Sequence, residues 1–63
     1  MINKNAKIFV AGHRGMVGSA IVRRLAAAGY TQVITRTRAE LDLVNQQAVH
    51  DFIQAQKPEY IFI

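Results

Sequence analysis

Two kinds of apolar pattern alternate along this chain. Lys7-Ile8-Phe9-Val10-Ala11, Gln32-Val33-Ile34-Thr35 and Tyr60-Ile61-Phe62-Ile63 are short runs in which apolar residues stand side by side. Between them the apolar residues are spaced out: Val17, Ile21 and Leu25, with Ala20 and Ala28 beside them, and later Val49, Phe52 and Ile53. Continuous short runs suit strands covered on both faces, whereas recurrence at i, i+4 gives a helix one apolar stripe to lay on a sheet. The pattern predicts a strand over 7–11, a helix from Met16 to Ala28, a strand over 32–35, a helix over Gln46–Gln56 and a strand from Tyr60 to Ile63. The punctuation agrees. Gly29 suits a left-handed helix C-cap, Asn45 a helix N-cap, and Lys57 the last turn before Pro58 stops the second helix. Val33, Ile34 and Thr35 are β-branched, as strands favour. Leu41-Asp42-Leu43 reads as a short connection. Strands alternating with helices predict an α/β protein: the N-terminal βαβαβ part of a doubly wound parallel sheet with right-handed crossovers.

Length and composition bound this picture. The chain has 63 residues, 51% of them hydrophobic and 19% charged, with no cysteine. So short a chain buries only about 60% of its unfolded surface, and neither disulfides nor a thiolate metal site are there to compensate. Tyr60–Ile63 reads as a buried strand with nothing after it. The expectation is therefore that residues 1–63 are the N-terminal part of a longer protein, with the rest of this domain and a substrate domain beyond them, and that alone they fold only partly. No apolar run approaches the roughly 20 residues that span a bilayer, and no cleavable signal pattern follows Met1. A cytoplasmic location is expected. The net charge of +4 raises nucleic acid as a partner. Arg14, Arg23-Arg24, Arg36 and Arg38 are scattered, however, without a basic run or aromatics interleaved among them. Neither nucleic acid nor a membrane is expected to bind, and Arg23 and Arg24 read as a solvated helix face.

The stretch Ala11-Gly12-His13-Arg14-Gly15-Met16-Val17-Gly18 carries the chemistry. It follows the first strand and opens the first helix, so unpaired backbone N–H groups at the helix start face outward, where the dipole favours an anion. One glycine makes the turn, one admits a pyrophosphate close to the backbone, and one lets the helix pack near its strand. A dinucleotide is expected there. His13 stands in this loop, where packing or a phosphate contact suits it better than proton transfer. The end of the second strand decides which dinucleotide. An NAD site places a carboxylate there for the ribose 2′-hydroxyl; this chain has Arg36 and Arg38 instead. Guanidinium groups grip a phosphate through paired, charge-assisted hydrogen bonds. Arg38 and Arg14 are therefore expected to clamp the 2′-phosphate of NADP, with Arg36 a weaker candidate. The alternative is that Arg36 and Arg38 merely decorate an exposed strand end. Asp42 is either an acceptor at the adenine edge, with the Leu43 N–H as donor, or a turn-forming aspartate. Glu40 is expected to be solvated, His50 to lie on a helix surface, and Ser19 to be a helix-start residue or a phosphate contact. No ligand spacing points to a metal.

Gly12-x-x-Gly15-x-x-Gly18 resembles the pattern of the extended short-chain dehydrogenase/reductases, with their NAD(P)-binding Rossmann fold. The string from Ala11 to Ile21, followed by Arg36-Thr37-Arg38-Ala39-Glu40-Leu41-Asp42-Leu43, is similar to the GDP-L-fucose synthase family within them, and Ala48–Phe52 fits that family's second helix. The resemblance implies a cytoplasmic, homodimeric, NADPH-dependent enzyme that takes GDP-4-keto-6-deoxy-D-mannose to GDP-L-fucose by C3/C5 epimerisation and C4 keto reduction. It implies that Gly12, His13, Arg14, Gly15, Met16, Val17 and Gly18 form the pyrophosphate loop. Arg38 would read the 2′-phosphate with Arg14 beside it, while Ala39, Glu40, Leu41, Asp42 and Leu43 lie along the adenosine. Some family members carry Asn where Asp42 stands, and either side chain can serve the adenine edge. The family's catalytic Ser, Tyr-x-x-x-Lys and Cys/His groups match nothing up to Ile63; Tyr30 and Tyr60 occupy none of those positions. Two alternatives share these residues: another NAD(P)-dependent nucleotide-sugar epimerase or dehydratase, and a non-catalytic NADP-sensing relative.

Overall fold

The computed structural model describes residues 3–12 and 14–63. Its organising element is β1 (Ile8–Ala11), whose four residues are all buried. β2 (Val33–Arg36) pairs with it in parallel on one edge, aligning Ile8 with Val33 and Ala11 with Arg36. β3 (Tyr60–Phe62) pairs in parallel on the other edge, aligning Ile8 with Tyr60 and Val10 with Phe62. The sheet order is β2-β1-β3.

Side chains alternate across a strand, so β1 offers two apolar faces, and each receives its own helix. Ile8 and Val10, fully buried, pack with Ile21, Val22 and Leu25 of α1 (Met16–Ala27), together with Tyr30 and Val33. Phe9 and Ala11 point the other way. They meet Ala48, Val49 and Phe52 of α2 (Gln46–Gln56), with Leu41 and Ile34. The Phe9 and Phe52 rings lie 4.7 Å apart at a tilt of 54°, an arrangement worth about 0.5–1.5 kcal/mol beyond burial. This is why β1 reads as an unbroken apolar run: neither face sees water.

The helix ends follow local chemistry. At the C-terminus of α1, Gly29 adopts φ +94. Its N–H donates to the Ala26 carbonyl at 3.1 Å and the Tyr30 N–H to the Leu25 carbonyl at 3.0 Å. This paired arrangement satisfies carbonyls the helix leaves open, with Tyr30 and Leu25 packed on the same core. Asn45 caps α2 by accepting from the Ala48 N–H at 3.0 Å. Lys57, followed by a proline, leaves α2 in the left-handed region at φ 49 and ψ 55.

The five elements match the sequence pattern in type and order. β2 starts one residue later than expected and takes in Arg36, and Gln32 contributes only its carbonyl, to the Ile8 N–H. The spatial order carries more information. Chain order alone would set three strands side by side, whereas here the second crossover returns across β1. That return puts α1 and α2 on opposite faces and makes β1 the point where winding reverses, the place where α/β sheets bind ligands. Tyr60, Ile61 and Phe62 are 37–42% exposed and Ile63 96%, so this apolar edge strand is uncovered within residues 1–63. Both core clusters centre on β1, and β3 has β1 as its one paired strand.

Candidate functional site

The turn out of β1 is built for backbone rather than side chains. Gly12 takes φ +68, in the left-handed region where a Cβ costs about 1–2 kcal/mol. The Gly15 N–H donates to the Gly12 carbonyl at 2.9 Å and closes the turn. A Cβ on Gly15 would stand 3.3 Å from that same carbonyl oxygen, closer than ordinary contact. Gly15 is also the N-cap of α1, extended at φ -73 and ψ 165, and no side chain caps the helix. The amides of Met16, Val17 and Gly18 have no partner within a helix that starts at Met16. The result is a tight, glycine-lined mouth over unpaired N–H groups and the positive end of a helix dipole. His13 lies outside the described residues.

Beside this mouth, at the carboxyl ends of β1 and β2, is a cavity of about 690 Å³, within the range of small-molecule sites. Its lining brings together Gly12 and Arg14 from the first turn, Arg36 at the end of β2, and Arg38, Ala39, Leu41, Asp42 and Leu43 from the segment after it. Arg14 and Arg38, on separate loops, thus face one space, and both are exposed. Phe9, Ala11, Thr37 and Val44 line it as well; Phe9 and Val44 carry no site signal in the sequence, although the ends of adjacent parallel strands are where such a crevice opens. Gly15, Met16, Val17, Gly18 and Glu40 are not in the lining. Met16 and Val17 instead border a separate apolar groove along α1 with Ala20, Ile21 and Leu25.

The remaining charges are accounted for locally. Arg36 is half-buried. One of its guanidinium nitrogens donates to the Thr35 carbonyl at 2.7 Å, and its Cζ lies 5.3 Å from the centre of the Phe52 ring. It is turned onto the protein, unlike Arg38. The Glu40 side chain, expected to be merely solvated, accepts from the Thr37 N–H at 2.7 Å while the Glu40 N–H donates to the Thr37 hydroxyl at 3.2 Å. Thr37-x-x-Glu40 is the reciprocal capping pattern, a signal obscured because no helix follows it. Asp42 takes the turn-forming role: its Oδ1 accepts from the Val44 N–H at 3.0 Å. Ser19 donates to the Met16 carbonyl at 3.1 Å and is a helix-start residue. Both carboxylates nearest the cavity are thus engaged by backbone N–H groups, and two exposed guanidinium groups face its space. Among the described residues no cluster of three or more His, Cys, Asp or Glu is placed to hold a metal.

Comparison with known proteins agrees with this geometry. The NAD dependent epimerase/dehydratase family matches residues 8–63. GDP-L-fucose synthase 1 of Arabidopsis thaliana is 54% identical over 63 residues, 100% of this chain and 20% of that protein. The GDP-L-fucose synthase of Escherichia coli (strain K12) is 46% identical over 57 residues, 90% of this chain and 18% of that protein. A solved GDP-mannoheptose C4 reductase from Campylobacter jejuni, with NADP bound, shares the structure at a TM-score of 0.93 and 48% identity, covering 97% of this chain and 18% of that one. The chain spans about a fifth of the length of the curated relatives it matches. Its doubly wound sheet is a Rossmann-like fold, and the chain belongs to the NAD dependent epimerase/dehydratase family.

Proposed function

We propose that this chain is the cofactor-binding segment of an NADPH-dependent GDP-L-fucose synthase, which converts GDP-4-keto-6-deoxy-D-mannose to GDP-L-fucose. The observation that carries the cofactor assignment is the convergence of Arg14 and Arg38 on one cavity beside an uncapped helix start. The residues fit the group: a pyrophosphate needs the close approach that Gly12 and Gly15 allow, and the 2′-phosphate needs cations rather than an acid. The NADP bound to the Campylobacter jejuni reductase supports the same assignment, and the names of the curated relatives support the substrate.

In this reading the α1 amides and the glycine turn hold the pyrophosphate. Arg14 and Arg38 grip the 2′-phosphate, and Ala39, Leu41, Asp42 and Leu43 line the adenosine side. When bound, the nicotinamide supplies the hydride that reduces the C4 ketone. These residues contribute by fixing position, which lowers the barrier through orientation. The epimerisation and proton-transfer groups are no part of this segment. The reading extends to a cytoplasmic homodimer with neither nucleic acid nor membrane as partner, as the motif resemblance implies.

The test is the double variant Arg14→Ala/Arg38→Asp in the full-length protein. NADPH affinity should fall at least on the order of a hundredfold, since two charge-assisted contacts at roughly 1.5 kcal/mol each, the low end for such bonds, come to about 3 kcal/mol, while NADH affinity changes little. Equal weakening of both refutes the clamp. A second reading is a GDP-sugar C4 reductase without epimerase activity, favoured by the name of the Campylobacter jejuni structure. Product analysis separates the two: that reductase would return a C4-reduced sugar with C3 and C5 unchanged.

A further inference from the structure

Arg38 is exposed, and a long exposed side chain is ordinarily a poor phosphate clamp, because binding must freeze it. The segment that carries it is unusually well tied. Four hydrogen bonds converge on Thr37: its N–H donates to Glu40 at 2.7 Å, its hydroxyl accepts from the Glu40 N–H at 3.2 Å, and its carbonyl accepts from the Glu40 and Leu41 N–H groups at 3.0 and 2.8 Å. Arg38 and Ala39 are the two residues inside this closed turn. One end is anchored by β2, which ends at Arg36, and the other by Leu41, buried against Phe9 and Ala11. Glu40, four residues past the end of β2, is the acid nearest in sequence to the place where an NAD site keeps its ribose-binding carboxylate, yet one of its side-chain oxygens accepts from the Thr37 N–H.

We propose that Glu40 is a positioning residue for cofactor choice: paired with Thr37, it braces the turn that presents Arg38 to the 2′-phosphate, and it does not bind the ribose. This rests on the NADPH reading above. The brace holds the Arg38 backbone before the cofactor arrives, so less freedom is lost on binding.

The experiment is titration of the full-length protein with NADPH and with NADH. Glu40→Ala removes the acceptor and should weaken NADPH about five- to tenfold, the scale of ordering one side chain, with NADH within about twofold. Glu40→Gln keeps an acceptor oxygen and should restore the wild-type preference. Thr37→Val removes the other half of the pair, repeats the selective loss and serves if Glu40→Ala does not fold. In an Arg38→Ala background, Glu40→Ala should add nothing, because the brace acts only through Arg38. Equal loss for both cofactors, failure of Glu40→Gln to rescue, or additivity with Arg38→Ala would overturn the brace. If Arg38→Ala itself leaves the NADPH preference intact, the underlying cofactor reading fails and the brace falls with it. If Arg38→Ala abolishes the preference while Glu40→Ala and Thr37→Val do not change it, only the brace fails.

Discussion

The two helices enter the fold in opposite ways. α2 begins behind a closed polar turn: Asp42 accepts the Val44 N–H, and Asn45 accepts the Ala48 N–H. α1 begins behind Gly15, which has no side chain to offer, and its first amides are left without a cap. A polar cap is worth about 1 kcal/mol over alanine but only roughly a few tenths over glycine, so Gly15 leaves the amides of α1 open at little cost in stability. The bare end sits beside a cavity lined by Arg14 and Arg38. The capped end serves the fold; in the proposed function the uncapped one is where the cofactor's pyrophosphate binds.

The contrast is broken most severely by closing the open end. Gly15→Asp places a carboxylate at the start of α1 and a Cβ 3.3 Å from the Gly12 carbonyl oxygen. The carboxylate competes for the same amides and repels a pyrophosphate. NADPH and NADH affinities should both fall more than about tenfold, more than 1.4 kcal/mol, by calorimetric titration. The converse change opens the closed end. Asn45→Ala should cost about 1 kcal/mol in denaturant unfolding and leave NADPH affinity within about twofold. A large loss of affinity in Asn45→Ala would erase the distinction between the ends.

Much of the fold is legible from short-range pattern because short-range physics determines it. Gly29 and Asn45 terminate helices through bonds to residues within five positions, and both did so where the sequence placed them. The unbroken apolar run Ile8–Ala11 shows that both faces of β1 are covered. Strand order was not legible, since it depends on α2 choosing the Phe9 face over the Ile8 face, a choice settled by packing such as Phe9 on Phe52. At the site, Arg14 and Arg38 come together because parallel strands end on the same side of the sheet. The turn of Arg36 onto Phe52 and the pairing of Glu40 with Thr37 require coordinates, since each depends on where a side chain of several rotatable bonds comes to rest.

The central claim concerns a single phosphate, and two ligands that differ by that phosphate test it. Adenosine 2′,5′-bisphosphate and adenosine 5′-monophosphate should be titrated into the full-length protein at one ionic strength. If Arg14 and Arg38 grip the 2′-phosphate as proposed, the bisphosphate should bind more tightly by at least about tenfold, one charge-assisted contact's worth. Equal affinities would contradict the account.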